Sequence, residues 1–493
     1  MRQKRSVINI VLVGLFSTLL FGCKKDPDVT SNPSEDIINT EQPSETTLEI
    51  ESDVVTLDFY GLNDFHGSIT QDDDNRETGW FKIASYLKEQ ERLNPGGIIN
   101  VSAGDMWQGS ADSNITRGKL LTELMNDANF AGMAIGNHEF DWKTDYISLN
   151  RELSNFPFLA ANIFEKATGE LASFVETSTI ITRNGVKIGL IGTVGNGLES
   201  SIFYENVKDY EFRVPDNYIV EESKKLRKNG ADIVTLLTHD SLVSNYNDYK
   251  ETLNGTTNNG KPYVDLIFTG HAHTLDRQKI NGVPILQTNG NGKQLMHVNL
   301  TFNRNENDIT LNKYENIDYS NLIEYEDDEE ALEIYSRYYE EEIREVKEEV
   351  VGTLTHGLPS RKNILNLANR VMYEAFKEEY PSLNIAVHNT GGVRVYSFEE
   401  GEVTYGDLYK AFPFDNEIRI IDNVSRTDAN NITNYNAYYI GEEIRDNNTV
   451  VTIDYVSTKY PLYNYEQIQT GKYIRDIIAD YFRLNGVVDG SQF

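Results

Sequence analysis

Residues 131 to 142 read AGMAIGNHEFDW: an apolar run, a glycine, and then an asparagine, a histidine and an aspartate within five positions. A run this short and apolar, closed by a turn residue, reads as a buried strand that delivers its polar residues to a loop at its carboxyl end. The same arrangement recurs along the chain. Asp64 and His66 follow one strand-like run (LNDFHG), Asp105 a second (SAGDMWQG), His239 a fourth (LLTHD), and His271 and His273 a fifth (FTGHAH). Five of the eight histidines stand at such positions.

The runs themselves, 54–62, 97–102, 133–135, 186–194, 231–237 and 264–269, are rich in β-branched residues. Helical segments such as 80–93, 119–128 and 218–228 fall between them. This alternation predicts an α/β layered domain with mixed sheets, in which residues after the strands can converge on one edge. The runs 284–287 and 295–302 lie close together and predict a hairpin.

At 493 residues the chain predicts two domains, and 39% hydrophobic residues suffice for real cores. A formal charge of -32 excludes a nucleic-acid scaffold and a binder of anionic lipid. A phosphate-bearing substrate would need local compensation, from metal ions or a few placed arginines.

Two Asp, one Asn and four His, all oxygen or nitrogen donors with no thiolate, suit two divalent cations. Each motif alone is weak, since a lone His after a strand is usually a capped or surface residue and an Asp after Gly a turn residue. Together and in this order they resemble the calcineurin-like metallophosphoesterases, and within them the secreted 5′-nucleotidase and UDP-sugar hydrolase family. The resemblance covers roughly residues 53–302. It implies a β-sandwich flanked by helices, with Asp64, His66, Asp105 and His273 holding one metal. Asp105, Asn137, His239 and His271 would hold the other, Asp105 bridging. Mn, Zn, Fe, Co and Mg all fit this donor set. A pair of cations about 3.5–4 Å apart clamps a phosphoryl oxygen and acidifies water. The resemblance also implies that His138 meets the phosphate, stabilising charge and protonating the leaving group. Asp141 would hold its imidazole in one tautomer; otherwise it would cap the next helical turn. Glu139 is expected to be structural.

Residues 327–350 place Leu332, Tyr335, Tyr339, Ile343, Val346 and Val350 as one apolar stripe on an acidic segment, which predicts a bridging helix. Beyond it, NTGGVR (389–394) and AFPFDN (411–416) resemble the family's second-domain loops. On that basis Asn389 and Arg394 would contact substrate, Phe414 would stack on a base, and Asn416 would bond nearby. Thr390 and Asp415 depart from the family by replacing glycines. The later segment carrying a second aromatic and a ribose-binding carboxylate is not recognisable, so Asp454, Tyr460 and Tyr463 are only candidates; His356 and His388 are taken as structural.

Arg2, Lys4 and Arg5 precede an apolar run, 7–21, that is too short for a comfortable membrane span and leads into Leu20-Phe21-Gly22-Cys23. Cys23 is the only cysteine, which rules out an internal disulfide. The stretch resembles a bacterial lipoprotein signal whose Cys23 is lipidated.

The expected organisation is a signal (1–23), a flexible tether (24–52), a metallophosphoesterase domain (53–325), a linker helix (326–350) and a smaller α+β specificity domain (351–493). The expected protein is extracytoplasmic and anchored to the membrane through Cys23. It would hydrolyse nucleotides to nucleoside and phosphate as a 5′-nucleotidase does. The alternatives are a 2′,3′-cyclic-nucleotide phosphodiesterase with 3′-nucleotidase activity and a UDP-sugar or dinucleotide pyrophosphohydrolase. A surface binding protein on a dead hydrolase scaffold would leave every filled ligand position without purpose.

Overall fold

The computed structural model describes residues 53–435, 439–441, 443–459 and 461–493. The expected signal, Cys23 and tether, and Tyr460, lie outside them. In the first half two six-stranded sheets stack face to face. One runs Asp308–Asp318, Gln294–Asn303, Val54–Leu62, Ile98–Ser102, Phe130–Ala134, Phe158–Leu159 in spatial order. The other runs Asp276–Ile280, Val283–Gln287, Leu266–Thr269, Ile233–His239, Val186–Val194, Ser178–Arg183.

Alternation along the strands builds the layers. Leu57 and Phe59 point between the sheets onto Leu190, Leu237 and Phe268, while Tyr60 and Leu62 meet Trp80, Ile83 and Leu120 of the covering helices. On the far side Ile191, Val234 and Ile267 pack on Ile219 and Leu226. Strands buried on both faces read as continuous apolar runs, as IVTLLTH does. Val54–Leu62, Ile98–Ser102 and Phe130–Ala134 are mutually parallel, as are Val186–Val194, Ile233–His239 and Leu266–Thr269. Their carboxyl ends therefore gather at one edge of each sheet.

The predicted hairpin of 284–287 with 295–302 does not form. Val283–Gln287 pairs with Asp276–Ile280 and Leu266–Thr269, whereas Gln294–Asn303 pairs with Val54–Leu62 and Asp308–Asp318 in the opposite sheet. The chain crosses between sheets here because the connecting loop is held on the strand-end edge. Asn291 N–H donates to the Asp64 carbonyl at 2.7 Å, and Thr288 N–H to Asn63 Oδ1 at 2.9 Å.

The segment expected as one helix is interrupted. Glu329–Tyr338 is helical, Tyr339–Ile343 is a π-turn, Arg344–Lys347 closes the helix, and Val350 opens a strand. The π-turn inserts one residue into the helical phase. Ile343 thereby stays buried, while Val346 and Val350 turn outward at 36% and 52% exposure.

The second half has its own core. A five-stranded sheet, ordered Tyr439–Gly441, Leu383–Val387, Asn447–Ile453, Glu417–Ser425, Gln467–Tyr473, packs on helices Arg361–Lys377 and Ile474–Asn485. Among the described residues no helix is long and apolar enough to cross a membrane.

Candidate metal centre and adjoining cavity

The loops after the parallel strands bring two clusters of side chains together, Asp64, His66 and His273, and Asp105, His239 and His271. In each, one donor atom per residue lies within 4.8 Å of the others. In the first, His273 Nε2 is 3.2 Å from Asp64 Oδ1 and 3.1 Å from His66 Nε2. In the second, His239 Nε2 is 3.1 Å from Asp105 Oδ2. Asn137 Oδ1 lies 2.9 Å from His271 Nδ1 and 3.2 Å from His239 Nε2. The clusters are contiguous, since Asp64 Oδ1 is 4.0 Å from His239 Nε2.

The backbone is bent to achieve this. Asp64, His66, Asp105, His271 and His273 all have φ between 48° and 72°. Left-handed backbone in residues other than glycine is strained and gathers where function demands a geometry. Gly136 is needed for close approach, since a Cβ there would stand 2.2 Å from Asp105 Oδ1 and 2.6 Å from Asp105 N.

Backbone carbonyls set the tautomers. His66 Nδ1–H donates to Gln108 O at 2.7 Å and His239 Nδ1–H to Ala103 O at 2.8 Å, leaving both Nε2 lone pairs to the cluster. Burial and the neighbouring His138 and His273 push His66 down to about 3, so it is a neutral donor. Burial also lowers His239, but Asp105 outweighs it and raises the ring to about 10. A cation in the cluster would take the place of the Nε2 proton that Asp105 otherwise favours. Facing ring nitrogens, two buried carboxylates and an amide oxygen in one place fit a pair of divalent cations.

Glu139, expected to be structural, has a definite task. Its carboxylate accepts the N–H groups of Asp105, Met106 and Gly136 at 2.9, 2.8 and 2.7 Å, tying two ligand loops together.

His138 donates its backbone N–H to Asp105 Oδ1 at 2.7 Å, and its Nδ1 is 2.7 Å from Asp141 Oδ2. The following helix, Thr144–Leu153, has Lys143 at its N-cap, so Asp141 is the partner of His138 and does not cap that helix. Burial lowers the His138 ring, yet Asp141 and Asp105 raise it overall.

A cavity of about 420 Å³ opens beside these residues. Asp105, Asn137, His138, Asp141, His271 and His273 form one wall, and Asn389, Arg394, Phe414, Asn416 and Asp454 another. Arg394 lies over the Phe414 ring, 5.2 Å from its centroid. Tyr463 is 57% exposed and does not line the cavity. Sequence reasoning missed Gln108, Trp142, Phe203, Asp415 and Tyr455, all on the wall. Tyr455 follows Asp454 at the carboxyl end of Asn447–Ile453, so the strand-end rule that points to the two clusters points to it too.

Residues 57–275 match the family described as calcineurin-like phosphoesterase, and residues 350–424 that described as 5′-nucleotidase, C-terminal domain. Endonuclease YhcR of Bacillus subtilis is 30% identical over 392 residues, 73% of this chain and 31% of that protein. The chain thus spans about a third of that relative's length. A 5′-nucleotidase of Vibrio vulnificus is 25% identical over 475 residues, 85% of this chain and 79% of the relative. The crystal structure of a 5′-nucleotidase precursor from Thermus thermophilus superposes with a TM-score of 0.71 at 18% identity, covering 88% of this chain and 97% of that one, a likeness of fold.

Proposed function

Because the chain belongs to the calcineurin-like phosphoesterases and carries their 5′-nucleotidase C-terminal domain, we propose that it hydrolyses nucleotides to nucleoside and phosphate outside the cytoplasm. One observation carries this reading: a single cavity is walled both by the cation-ligand clusters and by Asn389, Arg394, Phe414, Asn416 and Asp454.

Asp64, His66 and His273, with Asp105, would hold one cation; Asp105, Asn137, His239 and His271 would hold the second. Bound there, the pair supplies Lewis acidity toward a phosphoryl oxygen and lowers the pKa of water. Asn137 contributes a neutral oxygen, which keeps negative charge low where phosphate must sit. His138, with Nδ1 fixed by Asp141, presents Nε2 to the cavity. A proton at that nitrogen stabilises phosphoryl charge and passes to the leaving oxygen. Arg394 offers a planar fork to a phosphate or sugar-borne anion. Phe414 stacks on the base, and Asp454 accepts from the ribose.

The lipobox-like Leu20 to Cys23 supports attachment to the outer face of a bacterial membrane through a lipidated Cys23. The test is turnover by residues 24–493 loaded with Mn or Zn, read as phosphate and adenosine from AMP, as 3′-AMP and then adenosine from 2′,3′-cyclic AMP, and as UMP and glucose 1-phosphate from UDP-glucose. Turnover of AMP supports the reading. Turnover of the other two alone keeps the chemistry and moves the substrate, and turnover of none overturns it.

A further inference from the structure

The loop that carries Phe414 into the cavity has no ladder of its own. It joins helix Tyr405–Ala411 to strand Glu417–Ser425. Three side chains from elsewhere pin it, beside the Ile474 N–H that donates to Asn416 O at 3.1 Å. Arg475 Nη1 donates to Phe412 O at 2.7 Å, and Asn114 Nδ2, from the first half, donates to Pro413 O at 2.9 Å. The third contact is Asp415, the loop's one charged side chain. Its Oδ2 takes Arg117 Nη1 of the first half and its Oδ1 takes Arg475 Nη2 of the second, each at 2.5 Å.

Asp415 stands where the family's pattern has a glycine, so this clamp belongs to the present chain. Arg117 is itself held. It sits in left-handed backbone at φ 52°, and its guanidinium lies 5.3 Å from the Trp142 ring centroid and 5.9 Å from that of Tyr146. Trp142 lines the same cavity. Burial raises the Asp415 carboxyl, but the two guanidinium groups outweigh it and hold the group below its usual range. Side-chain exposures of 29% for Arg117 and 26% for Asp415 leave the pair partly wet, whereas Arg475 at 5% is an interior anchor.

We propose that Asp415 is a positioning residue: by bridging Arg117 and Arg475 across the two halves it fixes Phe414 beside His138, and so sets selectivity for substrates with a base on the leaving group. This rests on the nucleotide reading above. A carboxylate between two anchored guanidiniums has one geometry, whereas a glycine would leave the loop held only through its backbone carbonyls, with nothing fixing the residue next to Phe414. Phe414 makes no use of the clamp when the leaving group is small. Loss of the clamp should therefore discriminate between substrates rather than abolish chemistry.

The experiment compares kcat/KM for AMP with kcat/KM for ribose 5-phosphate, whose leaving group carries no aromatic ring, in the wild type, Asp415→Asn, Arg117→Met and the double variant. The ratio of the two constants cancels any loss of folded or metal-loaded protein. The expected result is a fall in that ratio of at least about fivefold in each single variant, mostly through KM for AMP, with no further fall in the double. Asp415→Glu should recover part of it. A ratio within about twofold of wild type in the single variants, or independent losses that multiply in the double, would overturn the clamp while leaving the nucleotide reading intact. A wild type that cleaves ribose 5-phosphate but no nucleotide would overturn both.

Discussion

The ring of Phe414, from the second half, lies with its centroid 5.8 Å from that of His138 in the first, the planes inclined by 33°. The group expected to meet the phosphate and the group expected to meet the base are thus neighbours, and a substrate that touches both must be short. Removing the phenyl ring should weaken nucleotide binding without touching the centre. Phe414→Ala is expected to raise KM for AMP about tenfold, in line with about 1–3 kcal/mol for one stacked base, with kcat changed far less. Equal KM values in variant and wild type would remove Phe414 from the base site.

The dyad makes the opposite demand. His138→Ala should lower kcat by about 10²–10⁴-fold, the usual contribution of a positioned acid or base, with the metal content of the wild type. Asp141→Asn should lose less, because the ring remains in place and only its tautomer and charge are disturbed. A His138→Ala protein that keeps more than about a third of wild-type kcat would exclude the proton-transfer role.

Asp454 supplies the pH dependence. Burial raises its carboxyl to about 6, against the pull of the Glu417 and Tyr455 N–H groups. The folded value lies above the unfolded one, so the folded protein binds this proton more tightly. Its contribution to stability is present at acid pH and lost as pH rises through about 6. Substrate binding has the opposite sign, because a ribose hydroxyl needs an ionised acceptor. KM for AMP should fall as pH rises through about 6, a step that Asp454→Asn should lack. The same step in the variant would assign it to another group.

Glu139 should matter to assembly of the site. Glu139→Ala strands three buried N–H groups at about 1–3 kcal/mol each, less whatever water repairs. The expected outcome is a drop in Tm together with weaker metal retention, measured by thermal scanning and metal analysis after dialysis. Unchanged values for both would show the two loops to be held by other contacts.

The convergence of the two candidate clusters was legible in sequence because their residues come in short contiguous motifs, each fixed by one strand. LNDFHG and FTGHAH each carry two candidate ligands two positions apart and SAGDMWQG carries one, and the left-handed turns that aim them are local. The sandwich was legible only as runs, since strands buried on both faces hide their partners. For that reason 284–287 and 295–302 passed for a hairpin although the chain crosses between sheets at Thr288. Asp308–Asp318 escaped notice because its exposed face alternates polar residues through DITLNKYENID. The far wall of the cavity was the least legible part. Phe203 and Tyr455 come from distant segments with no shared motif, and only packing brings them together.

The most direct test of the account is the metal content of residues 24–493 after loading with Mn or Zn and desalting, read beside phosphate release from AMP as metal is titrated back into stripped protein. The account requires about two equivalents per chain, activity that follows the second, and loss of both metal and activity in Asp105→Asn. A protein that holds no metal, or one whose activity is indifferent to its removal, would contradict it.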